Sequence, residues 1–165
     1  MTDVSTFNNL DQPQVHDLLW ACLPVQRWVD KVAAGRPYAE TNDVLQQANR
    51  SAAELTDDEL DAALAGHPRI GERASSPEHQ AEHSAKEQAA VDRDDAELMQ
   101  RLLEGNQAYE SRFDRVFLIR AKGRTAPEIL AELQRRLGND DQTEREETVT
   151  QLREIALLRL EEALS

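Results

Sequence analysis

Aromatic residues are few in this chain, with two Trp, two Tyr and three Phe among 165 residues, and Val and Ile together number only 13. Strands draw on those residue types, so the composition argues against a sheet protein. Gly and Pro together number 12, too few for a low-complexity or loop-dominated chain. The single cysteine, Cys22, rules out an intrachain disulfide and has no CxxC partner. Its neighbours Leu19, Trp20 and Leu23 place it on a helix face as a buried thiol. Positive charge is also short: 19 Lys and Arg stand against 32 Asp and Glu, for a net charge of −13. Nucleic-acid backbones and anionic membranes need concentrated positive surface, so neither is an expected partner. An anionic ligand would have to be met by locally placed Arg or by backbone donors. No run approaches the roughly 18 apolar residues of a membrane span. The start, MTDVSTFNNLDQ, lacks the basic and apolar segments of a secretory signal. A soluble cytoplasmic protein is expected.

What the chain has in quantity is helix formers: Ala, Leu, Glu and Gln make up 72 of the 165 residues. The expectation is an all-α fold, one compact domain over 1–165 with about eight helices. Asp11 and Pro13 open a helix that carries Val15, Leu18, Leu19 and Cys22 and breaks at Pro24. A second carries Val25, Trp28, Val29 and Val32 and ends at Gly35, before an extended Arg36-Pro37 connection. A third runs from about Thr41 through Ala48, and Thr56-Asp57-Asp58-Glu59 is a capping box for a fourth that Gly66 stops. His67 to Pro77 reads as a loop of set conformation, and Glu78 to Val91 as helix-forming. Two further helices are predicted, one from Asp94 to Gly105 and one through Tyr109, Phe113, Val116, Phe117 and Ala121 that ends at Gly123. Thr125-Ala126-Pro127-Glu128 then opens a helix with core face Ile129, Leu130, Leu133 and Leu137, and the last runs from about Thr143 to Leu164.

Four constellations could carry chemistry. His67 precedes Pro68, whose ring holds it extended, so a group that titrates near neutrality sits on a stiff loop, though a structural or surface histidine has the same signature. Ser84, Glu87 and Gln88 stand at i, i+3 and i+4 on one helical face, either to hold a polar heterocycle or as a capping box. Arg159 lies among Leu157, Leu158 and Leu160, on the stripe of Leu152, Ile155 and Ala156, and needs an anionic partner in either the protein or a ligand. His79, His83 and Glu87 recur at i, i+4 and i+8, but Gln80 stands where an HExxH zinc site needs its Glu, and no metal is expected. On these residues alone an enzyme, a helical interaction module for a basic partner and a metal-dependent hydrolase all remain open. A homodimer is a candidate assembly.

Taken in order, Phe7-Asn8-Asn9-Leu10-Asp11, Trp28-Val29, Arg36-Pro37-Tyr38, His67-Pro68-Arg69-Ile70-Gly71, Ser84-x-x-Glu87-Gln88, Asn106-x-x-Tyr109-Glu110-x-Arg112-Phe113, Phe117-Leu118-Ile119, Gly123-Arg124 and Leu158-Arg159-Leu160 resemble one family. It is that of 2-oxo-4-hydroxy-4-carboxy-5-ureidoimidazoline (OHCU) decarboxylase, and the resemblance spans residues 7 to about 160. The resemblance implies an all-helical carboxy-lyase that needs no cofactor and performs the last step from urate to (S)-allantoin on a small-molecule substrate. It also implies His67 and Glu87 as catalytic residues, with Ser84 and Gln88 binding substrate and Pro68 lining the pocket. The stretch Ile119, Arg120, Ala121, Lys122 and Gly123 would contact substrate largely through backbone, and Arg159 would hold its negative charge. Asp114 and Ala90 stand where the family commonly has glycine.

Overall fold

Asp3, Asp11 and Thr125 each turn a side chain back onto the backbone amide three residues on, and each thereby opens a helix. In the computed structural model, which describes residues 3–65, 67 and 96–165, the described residues form eight helices and no strand. They are α1 (Val4–Asn9), α2 (Gln12–Cys22), α3 (Gln26–Ala34), α4 (Thr41–Ala52), α5 (Asp57–Ala65), α6 (Ala96–Phe113), α7 (Ala126–Arg136) and α8 (Asp141–Ala163). The all-helical expectation holds, and no described helix is long and apolar enough to cross a membrane. The predicted helix over 78–91 lies outside the described residues. The chain divides into two compact units, one of residues 1–63 with 149–165 and one of residues 64–148.

In the first unit, α3 packs against both α2 and α4. Its apolar stripe of Trp28, Val29 and Val32 is buried, and the Trp28 indole donates to the Ala48 carbonyl at 2.9 Å, so the one polar atom of a large buried ring is satisfied. Arg27, on the other face, forks onto Glu59 at 2.9 and 3.1 Å and also reaches the Glu54 carbonyl at 3.1 Å. The Glu59 carboxyl is held below its usual range by the Arg27 hydrogen bonds, against the opposing effect of burial. Thr56 and Glu59 form the expected capping box at α5, with hydrogen bonds of 2.9 and 3.2 Å.

Phe7 to Leu10 and Arg36 to Tyr38, two of the family-like motifs, form one clasp. The Asn8 side chain accepts from the Tyr38 amide at 2.8 Å and donates to the Tyr38 carbonyl at 2.9 Å. Arg36 donates to the carbonyls of Phe7 at 3.0 Å and Leu10 at 2.8 Å, with its guanidinium 5.8 Å from the Phe7 ring centre. Helix α1 was not expected from the sequence. Six residues are too few to persist alone, and this clasp supplies what propensity does not.

In the second unit the two helices predicted on either side of Gly105 are one, α6, which runs without a break for 18 residues. Gly105 does not end it, because the glycine serves packing: a Cβ there would lie 2.5 Å from Leu133 Cδ2, on α7. The helix ends instead at Phe113, after which Asp114 takes φ 55°, a left-handed conformation that favours glycine and tolerates Asp better than most residues. This is a physical reason for the family's glycine at that position. Residues 116–121 are therefore not helical. Phe117, Ile119 and Ala121 enter the core cluster in alternation, the period of an extended chain. Val116, Phe117 and Ala121 also fit a helical spacing, which is why the two readings could not be separated by period. Helix α7 has the expected capping box and core face, with Ile129, Leu130 and Leu133 buried and Leu137 partly so.

Two substitutions follow from this packing. Gly105→Ala gains about 1 kcal/mol of helix propensity but overpacks the fully buried Leu133, at about 1–3 kcal/mol. The expected net is a lower urea midpoint, partly restored in the Gly105→Ala/Leu133→Val double variant. Asp114→Gly relieves about 1–2 kcal/mol of left-handed strain and loses up to about 1 kcal/mol to unfolded-chain entropy. It should raise stability slightly, whereas Asp114→Val lowers it, as thermal unfolding of the two variants will show.

Candidate active site

His67 follows the end of α5, with its amide donating to the Leu64 carbonyl at 3.0 Å, and its side chain is half-buried. The turn behind it fixes its backbone. Pro68, Ser84, Glu87 and Gln88 lie outside the described residues, as do His79 and His83 of the metal reading. Among the described residues no group of three or more His, Cys, Asp or Glu is placed to hold a metal ion.

The stretch from Ile119 to Gly123 belongs to the same unit as His67. Its apolar side chains, Ile119 and Ala121, point into the core, while Arg120 is half-buried and Lys122 and Gly123 are exposed. Arg124 closes the far end, its amide donating to the Ala121 carbonyl at 3.1 Å and its Nε to the Arg120 carbonyl at 2.9 Å. Gly123 has φ +85°, which only glycine adopts without strain. Within the described residues no hydrogen bond engages the N–H groups of Ile119, Ala121 or Gly123. Backbone donors without internal partners can bind a ligand's carbonyl or carboxylate oxygens.

The near end of this stretch is held by a buried ion pair. Arg136 is 1% exposed and Glu144 is fully buried, with Nε at 3.0 and 3.1 Å and Nη2 at 2.5 Å from the carboxylate. The remaining guanidinium nitrogen, Nη1, donates to the Leu118 carbonyl at 2.7 Å. The guanidinium carbon lies 4.6 Å from the Phe117 ring centre. The Tyr109 hydroxyl donates to Glu144 as well, and burial together with that contact pushes the phenol's pKa up. Thr148 Oγ1 is 3.3 Å from Arg136 Nη2. The sequence reading missed Arg136. Its signal was present, since Ile129, Leu133 and Arg136 fall at i, i+4 and i+7 on the core face of α7.

Arg159 lies on α8 in the other unit, half-buried on a helix whose Leu152, Ala156 and Leu160 are core residues. Among the described residues it makes no hydrogen bond and no ion pair, and its charge is felt at the Cys22 thiol. The expectation of an arginine rising from an apolar stripe is met. Cys22 is buried as expected and donates to the Leu18 carbonyl at 3.4 Å.

The all-helical arrangement is similar in fold to that of solved structures. A crystal structure of OHCU decarboxylase in the presence of (S)-allantoin matches with a TM-score of 0.73 at 23% identity, over 90% of this chain and 97% of that one. The family model for OHCU decarboxylase matches residues 8–161, and the chain belongs to that family. Among its relatives is 2-oxo-4-hydroxy-4-carboxy-5-ureidoimidazoline decarboxylase of Haloferax volcanii, 26% identical over 96% of this chain and 94% of that protein. The enzyme of the same name from Amia calva is 29% identical over 81% of this chain and 77% of that protein.

Burial raises the Cys22 thiol to about 11, with Arg159 opposing the shift. The folded chain therefore holds this proton more tightly than the unfolded one. The stabilisation is fully present below about pH 9 and is lost as pH rises from about 9 to 11. At pH 8 a thiol reagent should modify Cys22 roughly 100-fold more slowly in the folded protein than in urea, and a comparable rate in both would overturn the burial.

Proposed function

We propose that this chain catalyses the decarboxylation of OHCU to (S)-allantoin, as a carboxy-lyase of urate degradation. The observation that carries the reading is the family match over residues 8–161. It is supported by a half-buried His67 on a fixed turn and by the unengaged backbone donors of Ile119, Ala121 and Gly123.

The ring carbon of the substrate carries a hydroxyl and a carboxylate. When the bond to the carboxylate breaks, CO2 leaves and the electron pair stays on the ring as an enolate-like anion, which one proton then quenches on one face. Two kinds of help are needed: donors to the developing charge and a proton delivered with a fixed orientation. In this reading His67 moves the proton and Glu87 orients and charges the imidazole. Ser84, Gln88 and the Ile119–Gly123 backbone, with Pro68 as wall, bind the ureido and ring carbonyl groups, and Arg159 holds the carboxylate. The reaction so written is redox-neutral. A cytoplasmic location is part of this reading, and a homodimer is its candidate assembly.

The test is to generate the substrate fresh from urate and follow its absorbance decay and the circular dichroism of the product, with and without chelator. Chelator-insensitive acceleration to (S)-allantoin is expected from the purified protein. His67→Ala should keep its fold and lose about 10²–10⁴-fold in rate. Decay at the blank rate with racemic product, from folded wild-type protein, would overturn the assignment.

A further inference from the structure

Arg136 spends three of its contacts on a buried carboxylate and one on a main-chain oxygen, and that oxygen belongs to the residue just before Ile119. Burial requires Nη1 to be met by some acceptor, and the acceptor that meets it is the main chain at the start of the Ile119–Gly123 stretch. We propose that Arg136 is a positioning residue for substrate binding, which fixes the Ile119–Gly123 backbone so that its free N–H groups face the ligand. This inference rests on the reading of that stretch as substrate-contacting.

The geometry gives the anchor its direction. The Leu118 carbonyl is fixed at 2.7 Å from Nη1, and the guanidinium also covers the preceding Phe117 ring. Two consecutive residues are thus held by one side chain that cannot itself move, because both of its other nitrogens engage Glu144. The opposite end of the stretch is tied by Arg124 through the carbonyls of Arg120 and Ala121. Between these two fixed ends the donors of Ile119 and Ala121 are preorganised, and preorganised donors bind without an ordering cost. Lysine cannot substitute fully. Its ammonium is a point donor that can neutralise Glu144 but cannot hold a fork on the carboxylate and reach Leu118 together.

The experiment compares wild-type, Arg136→Lys, an Arg136→Met/Glu144→Met double variant that removes both charges at once, and Thr148→Val as a stability control. Folding is checked by circular dichroism, rigidity by amide 15N order parameters of Ile119, Ala121 and Gly123, and catalysis by OHCU decay. The expected result for the folded Arg136 variant is a drop of those order parameters from about 0.85 toward 0.6 or below. The KM should rise at least about tenfold, with kcat changed much less. Where Arg136→Lys does not fold, the double variant is read in its place. Thr148→Val should melt earlier with wild-type order parameters and KM. Unchanged order parameters, a KM within threefold of wild-type, or a Thr148→Val variant that reproduces the whole effect would each overturn the proposal. If wild-type protein does not accelerate OHCU decay, the functional reading fails separately, and the order parameters alone decide whether Arg136 fixes the stretch.

Discussion

Arg136 and Glu144 are almost completely withdrawn from solvent, and such a pair holds only if every remaining donor and acceptor is met. Each ion loses several kcal/mol of hydration on burial, so the surrounding structure must supply the return. It does so from three places: Tyr109 on α6, Thr148 on α8 and the Leu118 carbonyl in the extended stretch. The carboxylate also accepts from Asn139 at 3.2 Å, just before α8 begins. The second unit thus has a polar centre inside its apolar cluster, and the elements that meet there cannot slide along one another without breaking it. An apolar core alone would tolerate such sliding.

The first unit solves the same problem with less charge. Arg36 donates to three carbonyls at the ends of α1 and α3, those of Phe7, Leu10 and Ala33, in place of a carboxylate. Tyr38 adds a bond from its hydroxyl to the Val32 carbonyl at 2.6 Å, close over Gly35, where any side chain would strike the ring. Both units therefore use an arginine to join elements that apolar burial brings only near. They differ in exposure, because Arg36 stays half-buried and its carbonyl partners carry no net charge to be desolvated.

Much of this was legible in the sequence, and what was not has identifiable causes. The capping boxes at Thr56 and Thr125, the break at Pro24, the stripe of α3 and the burial of Cys22 follow from local rules that tertiary contacts did not override. Gly105 was misread because a glycine in a helix has two explanations, stop or close approach, and only Leu133 distinguishes them. The stretch 114–121 was misread because Val116, Phe117 and Ala121 satisfy a helical period, while the left-handed turn at Asp114 has no signal in a residue type so common in this chain. Helix α1 is too short to carry a period at all. Of the candidate site, His67, Ile119–Gly123 and Arg159 were picked out partly by type and spacing and partly by family resemblance. Arg136 was passed over because a charged residue on a core face reads as an exception until its partner, eight positions away in sequence, is seen to be buried with it.

A net charge of −13 bears on how this chain meets an anion. Long-range attraction is not available to it, and at physiological ionic strength fields from exposed carboxylates fade within about 8 Å. Recognition must then be short-range, through groups that are strong only on contact. Main-chain N–H groups qualify, since they bring a dipole without a counter-charge that an acidic surface would neutralise. So does an arginine kept out of ion pairs, as Arg159 is among the described residues, despite the abundance of Asp and Glu. It rises from the side of α8 that carries the buried Leu152 and Ala156. Arg27, Arg135 and Arg136 show the opposite use, each spent on a glutamate. The arginines of this chain thus divide into those that complete the fold and one, Arg159, kept out of ion pairs among the described residues.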